Sequence, residues 1–90
     1  MLEGKVKIIN PLGLHARAAA QLVRLAGGFQ SSIKLFRTDN QVMADAKSIL
    51  SVLTLAASKG TELKLNVDGE DEEKAFQSIS EIFADGFGEL

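Results

Sequence analysis

The stretch Asn10-Pro11-Leu12-Gly13-Leu14-His15-Ala16-Arg17 joins a strand to a helix, and it sets how the first third of the chain folds. Before it, Val6-Lys7-Ile8 alternates as a half-buried strand does, and the proline removes a backbone donor and ends the strand. After it, apolar side chains recur at helical spacing over 16–26, and Gly27-Gly28 ends the helix. The junction therefore places His15 at the helix N-cap.

Two further segments surround a short helix in the middle of the chain. Residues 33–35 and 42–44 alternate apolar with polar side chains, and Thr38-Asp39-Asn40 between them suits a tight turn, which predicts a hairpin. Ser48 is a good N-cap and Lys59-Gly60 a good stop, so a short helix is expected between them. Its buried stripe is predicted to contain Ile49, Val52 and Ala56.

The last third predicts one strand and one helix. Leu63, Leu65 and Val67 alternate with polar residues, and Asp68-Gly69 breaks the strand. The acidic run 70–73 favours a helix start, and an apolar stripe follows at Ala75, Ile79, Ile82 and Phe83. The order βαββαβα indicates an α+β open-faced β-sandwich, a four-stranded antiparallel sheet with three helices on one face. A ferredoxin-like arrangement of the βαββαβ core is the alternative.

Length, composition and charge restrict the possible functions. Ninety residues, 46% hydrophobic and 24% charged, predict one domain over residues 1–90. A net charge of -2 argues against nucleic-acid binding, and one His without Cys argues against a metal site. No cofactor is expected. The chain lacks a signal pattern at Met1–Lys5 and any long apolar run, so we expect a cytoplasmic monomer without membrane insertion.

His15 is the candidate functional residue. At a helix start the backbone N–H groups of Ala16 and Arg17 lack intrahelical partners, so they suit an anionic group on the imidazole. The Arg17 guanidinium could add a charge-assisted hydrogen bond, and a neutral ring nitrogen is a competent nucleophile. On the residues alone, His15 is either a phosphorylated nucleophile or a helix cap without chemistry.

The motif Leu12-Gly13-Leu14-His15-Ala16-Arg17 resembles the active-site signature of the HPr family, the histidine-containing phosphocarriers of the bacterial phosphoenolpyruvate phosphotransferase system. Lys47-Ser48-Ile49 resembles the regulatory serine site of the same family, and the similarity extends over essentially the whole chain. The resemblance implies an HPr-like fold. It also implies a phosphoryl carrier, not an enzyme.

Family membership would give several residues a role. Enzyme I would phosphorylate His15 on Nδ1, using phosphoenolpyruvate as the original donor, and IIA-type components would accept the group, with Arg17 stabilising it. A bifunctional HPr kinase/phosphorylase would modify Ser48, and a catabolite-control transcription factor is a further partner. The alternative is a regulatory HPr-like binding module that acts through protein contacts, in nitrogen-related or carbon-catabolite control.

Two further features bear on partners. Leu50 and Leu53 fall off the predicted buried stripe, so they either fill the core of this small domain or form an exposed docking patch, with Arg24 and Lys47 at its positive rim. Ala18 departs from the family, which usually has proline after the arginine, and it restores one backbone N–H at the helix start. The five phenylalanines are predicted to be core or core-edge residues: Phe29, Phe36, Phe76, Phe83 and Phe87.

Overall fold

The computed structural model describes residues 1–90 and contains four strands and three helices. The elements are β1 (Leu2–Lys7), α1 (Ala16–Ala26), β2 (Ser32–Arg37), β3 (Met43–Asp45), α2 (Ile49–Leu53), β4 (Glu62–Asp68) and α3 (Glu72–Ala84), followed by a single 3₁₀ turn (Gly86–Gly88). The predicted order βαββαβα is confirmed. None of the helices has the length and apolar content needed to cross a membrane.

The strands form one sheet in the order β1-β4-β2-β3. Every neighbouring pair is antiparallel, with Val6 opposite Leu63, Leu35 opposite Leu65 and Leu35 opposite Ala44. The ferredoxin-like alternative is wrong because of the strand order: in that fold β3 lies between β1 and β2, whereas here β4 lies between them and β3 is at the edge. The predicted open-faced antiparallel sheet is confirmed.

The two faces of the sheet differ because strand side chains alternate. Inward side chains such as Ile33, Leu65 and Val67 are fully buried and join a core that α1 and α3 cover. Phe36 was expected in the core or at its edge, and that prediction is wrong. It follows the buried Leu35 and therefore lies on the open face, where the Lys64 Nζ lies 5.5 Å from its ring centroid.

Close contacts hold α3 against the sheet. A Cβ atom on Gly4 would lie 2.5 Å from the tip of the Phe76 ring, so glycine lets this ring of α3 lie directly against β1. At the start of α3, the Asp71 carboxylate accepts hydrogen bonds from the backbone N–H groups of Gln30 and Ser31 and from the Ser31 hydroxyl. These hydrogen bonds hold the pKa of Asp71 below its usual value, and they fix the α1–β2 connection to α3.

Helix α2 is shorter than predicted. It ends at Leu53 instead of continuing towards Lys59-Gly60, and Ala56 has a φ of 48°. The N–H groups of Leu55 and Ala56 donate to carbonyls only three residues back, which ends the α-helical pattern. The Arg37 guanidinium donates to the carbonyls of Leu55 and Ala56 in the segment that follows. The predicted buried stripe is also wrong in part. Val52 is buried, whereas Ile49 and Ala56 are exposed.

Candidate functional site

The loop before α1 is fixed by contacts to the segment after α2. Gly13 has a φ of 68°, and a Cβ atom there would lie 2.7 Å from the Ala57 carbonyl oxygen, so this position requires glycine. The Leu14 N–H donates to the same carbonyl at 2.8 Å. The buried Asn10 side chain donates to the Gly13 carbonyl, also at 2.8 Å. These hydrogen bonds fix the conformation of the loop that leads into α1.

His15 is the N-cap of α1, as the sequence predicted. The Arg17 backbone N–H donates to its Nδ1 at 3.3 Å, so Nδ1 must present a lone pair. The proton is therefore on Nε2, which donates to the Glu89 carboxylate. The ring side chain is 24% exposed. This network assigns the neutral Nε2–H tautomer, with the nucleophilic lone pair on Nδ1 facing the helix start.

Glu89 comes from the C-terminal end of the chain, 74 residues from His15. Its side chain is only 10% exposed. Besides His15, it accepts a hydrogen bond from Asn10 Nδ2 at 3.3 Å, and one Arg17 guanidinium nitrogen lies 3.9 Å away. The hydrogen bond from His15 is the main cause that holds the pKa of Glu89 below its usual value, with Asn10 also contributing.

The start of α1 retains free donors beside Nδ1. No protein acceptor bonds to the backbone N–H groups of Ala16 and Ala18. The expected pair of donors was Ala16 and Arg17, but in this state the Arg17 N–H is already directed at the ring. The Arg17 side chain is 67% exposed. Ala18, where the family usually has proline, is fully buried in the core, and its N–H bonds to no protein acceptor.

The second predicted site lies at the start of α2. Ser48 is its N-cap, as predicted, and its hydroxyl accepts from the Ser51 N–H at 3.3 Å. Leu50 is 75% exposed and Leu53 38%, in agreement with the expected apolar patch. Helix α2 packs against α1.

The predicted positive rim is only partly free. Arg24 is exposed on the last turn of α1. Lys47 is exposed, but its Nζ donates to the Phe29 carbonyl at 2.7 Å. That carbonyl lies just past the C-terminal end of α1, and the negative end of the helix dipole attracts cations there.

Two residues of the site, Asn10 and Glu89, are not predicted by the sequence pattern. Glu89 contacts Asn10 and His15, which lie near the other end of the sequence. No local sequence pattern indicates such contacts. Glu89 and Arg17 also border a cleft of about 490 Å³, and a larger cleft of about 680 Å³ between α1 and α3 does not contact His15. No three His, Asp or Glu side chains lie close enough together to hold a metal ion.

Comparisons with known proteins identify the family. The family model described as "PTS HPr component phosphorylation site" matches residues 2–85. The phosphocarrier protein HPr of Cupriavidus necator is 48% identical over 99% of this chain and 98% of its own length. HPr-C-His of Thermoanaerobacter tengcongensis superposes with a TM-score of 0.92 at 37% identity, covering 100% of this chain and 99% of its own.

A further relative is Crh, the Bacillus subtilis catabolite repression HPr, described as a domain-swapped dimer. It is 35% identical, covers 96% of this chain and 97% of its own, and has a TM-score of 0.73. The regulatory alternative is not favoured, because the similar curated proteins are phosphocarriers. The chain belongs to the HPr family, the phosphocarrier proteins of the phosphotransferase system, which carry phosphoryl groups and are not catalytic enzymes.

Proposed function

We propose that Nδ1 of His15 accepts a phosphoryl group from phospho-enzyme I and passes it to a IIA-type component. The observation that supports this assignment is the lone pair on Nδ1, directed at the start of α1 while Nε2 carries the proton. The lone pair forms a bond to phosphorus as the bond from phosphorus to the donor imidazole breaks, and that electron pair returns to the donor. The second transfer reverses these roles at His15.

Donors at the start of α1 would hold the transferred group. The N–H groups of Ala16 and Ala18 have no protein acceptor, and the Arg17 N–H becomes available when phosphorus replaces its contact with Nδ1. The largely exposed Arg17 guanidinium would leave Glu89 and bind the phosphoryl oxygens. The positive end of the helix dipole favours the same charge.

Incubation with phosphoenolpyruvate and enzyme I tests the assignment. Because His15 is the only histidine, we expect one acid-labile phosphoryl group per chain and none in His15→Ala. An Nδ1 linkage in ³¹P and ¹⁵N NMR spectra supports the proposed atom. Absence of an adduct on the wild type, or an undiminished one in His15→Ala, contradicts it.

We propose that partners dock on the surface formed by Leu50, Leu53, Arg24 and Lys47, beside α1. Its exposed leucines supply apolar contact, and the basic side chains suit an acidic partner. Leu50→Glu should raise the KM of enzyme I for this protein at least tenfold with little change in kcat. Met43→Glu, at another exposed apolar side chain on the open face, is the matched control. Equal effects of both substitutions contradict the docking surface.

We propose that Ser48 is a regulatory phosphorylation site for an HPr kinase/phosphorylase, and that the phosphorylated form engages a catabolite-control transcription factor. A dianion at this position would repel an acidic partner on the docking surface. Ser48→Asp should therefore slow His15 phosphorylation by enzyme I. Asn40→Asp adds the same charge in the β2–β3 turn and preserves the acceptor for the Val42 N–H. Equal rates for Ser48→Asp and wild type contradict this role.

We also propose that the protein works as a monomer in the cytoplasm. The sheet is completed by strands of one chain, because β1 pairs with β4 of the same chain along six residues. Sedimentation at micromolar and millimolar concentrations should give one species near 9.6 kDa. A stable dimer, as described for Crh, contradicts the monomer.

A further inference from the structure

Glu89 lies at the one point where the C-terminal segment meets the phosphorylation site. Its carboxylate contacts His15 Nε2 and Asn10 Nδ2, and it lies within ion-pair distance of Arg17. A carboxylate that is only 10% exposed is unfavourable unless its oxygens are hydrogen-bonded, and here both oxygens are. A largely buried carboxylate that is hydrogen-bonded to the nucleophilic imidazole indicates a role for Glu89 in the reaction of His15.

The contact selects which ring nitrogen can react. A carboxylate accepts but does not donate, so the nitrogen that faces Glu89 must carry the proton. The other nitrogen, Nδ1, then holds the lone pair that attacks phosphorus. The same bond fixes the rotation of the ring, because Nε2 is held by Glu89 while the Arg17 N–H lies against Nδ1.

The contact also matches the charge that the transfer creates. When Nδ1 bonds to phosphorus, the ring keeps its proton on Nε2 and becomes an imidazolium. The positive charge forms directly opposite the Glu89 carboxylate, which needs no movement to stabilise it. No proton is transferred in the step, and phosphorus leaves the donor nitrogen as it reaches Nδ1.

The C-terminal turn holds Glu89 in place. Phe87, two residues earlier, is 3% exposed and packs edge-on against Phe83 of α3 at a centroid distance of 5.1 Å. Asn10, fully buried, binds both Glu89 and the Gly13 carbonyl and so links the turn to the loop before His15. Glu89 is therefore attached to the core on one side and to the site loop on the other.

We propose that Glu89 is a positioning residue for phosphoryl transfer: its carboxylate holds His15 in the Nε2–H form with Nδ1 presented to phosphorus, and it balances the imidazolium that forms. This inference rests on the proposed function of His15. The aspartate of a Ser-His-Asp triad orients its imidazole by the same kind of contact, although there the histidine acts as a base.

Two variants separate the effects of orientation and charge. Glu89→Gln keeps a carbonyl oxygen that can accept from Nε2 but loses the charge, whereas Glu89→Ala loses both. Asp85→Asn removes an exposed carboxylate from the same C-terminal segment, one that makes no side-chain hydrogen bond at its helix cap, and is the matched control. The ¹⁵N shifts of His15 report the tautomer, and rapid-quench transfer from phospho-enzyme I gives kcat and KM.

We expect kcat for Glu89→Gln to fall on the order of 10-fold with the Nε2–H tautomer retained, as for other partners that orient a reactive imidazole. For Glu89→Ala we expect at least the same fall, together with a mixture of tautomers. KM should not change in either variant, and Asp85→Asn should match the wild type. Unchanged kcat in both variants, or a loss confined to KM, overturns the proposal while leaving His15 as the acceptor. A wild type that enzyme I does not phosphorylate contradicts the proposed function itself.

Discussion

Truncation of Phe87 should destabilise the protein strongly, although the residue lies only three positions before the end of the sequence. Its side chain is 3% exposed and contacts the Phe83 ring at an interplanar angle of 75°. Deletion of a buried phenylalanine side chain costs about 3–5 kcal/mol, a range to which such an edge-on pair contributes about 1 kcal/mol. We expect Phe87→Ala to lower the free energy of unfolding by about 4 kcal/mol.

The backbone at Phe87 allows a second, sharper comparison. Its φ of 56° and ψ of 28° lie in the left-handed region, which costs an L-residue about 1 kcal/mol relative to glycine. In an ordinary position, Gly is less stable than Ala by about 0.5–1 kcal/mol. Phe87→Gly should therefore be at least as stable as Phe87→Ala, because relief of this strain offsets the greater flexibility of the unfolded chain.

Urea unfolding followed by far-UV circular dichroism measures both variants, with the wild-type m-value as the check on two-state behaviour. Phe36→Ala removes the same side chain from the open face and should cost far less, about 1 kcal/mol for the lost cation–π contact. A loss below about 1 kcal/mol for Phe87→Ala would mean that the C-terminal turn is not packed against the core. The proposed role of the C-terminal turn in holding Glu89 beside His15 would then be wrong as well.

Three further predictions concern other parts of the molecule. Ala18→Pro should stay folded, since proline is tolerated in a first helical turn. The loss of one N–H to the phosphoryl group, about 0.7 kcal/mol, should lower the equilibrium ratio of phosphorylated to unphosphorylated protein about threefold at a fixed phosphoenolpyruvate to pyruvate ratio, and no change would exclude that donor. Ser48→Ala should lower the free energy of unfolding by about 1 kcal/mol through loss of the α2 cap, whereas Ser78→Ala within α3 should not. The lowered pKa of Asp71 stabilises the fold above the unfolded value of about 3.9, and this contribution is lost as the pH falls through the folded pKa. The urea midpoint of the wild type should therefore fall more steeply below about pH 4 than that of Asp71→Asn, and parallel curves would contradict the role of the Ser31 contacts.

Local signals predicted the parts of the site that are local. The start and end of α1 agree with the prediction because the apolar period, the preceding turn and Gly27-Gly28 all lie within one short segment. The position of His15 at the N-cap follows from the same residues. The apolar face of β4 was predicted equally well, since alternation alone decides which of its side chains are buried.

Distant contacts decided the features that the sequence did not predict. Arg37, at the end of β2, binds the Leu55 and Ala56 carbonyls in the non-helical segment that follows α2. Glu89 reaches His15 only because Phe87 enters the core and turns the chain back. Neither contact can be predicted from periodicity or composition, because each joins individual residues that are far apart in the sequence.

The proposed site suits a carrier because it orients the nucleophile more firmly than it holds the product. The ring has a fixed partner on each nitrogen, whereas the transferred group would meet a few backbone donors and one largely exposed arginine. Tight binding of the phosphorylated state would deepen its energy well and slow the second transfer, since only interactions that strengthen in the transition state accelerate a step. A deep pocket would also obstruct the two partner sites that must each approach Nδ1. A helix-capping histidine, oriented from behind by Glu89 and with Nδ1 directed at the start of α1, satisfies both requirements.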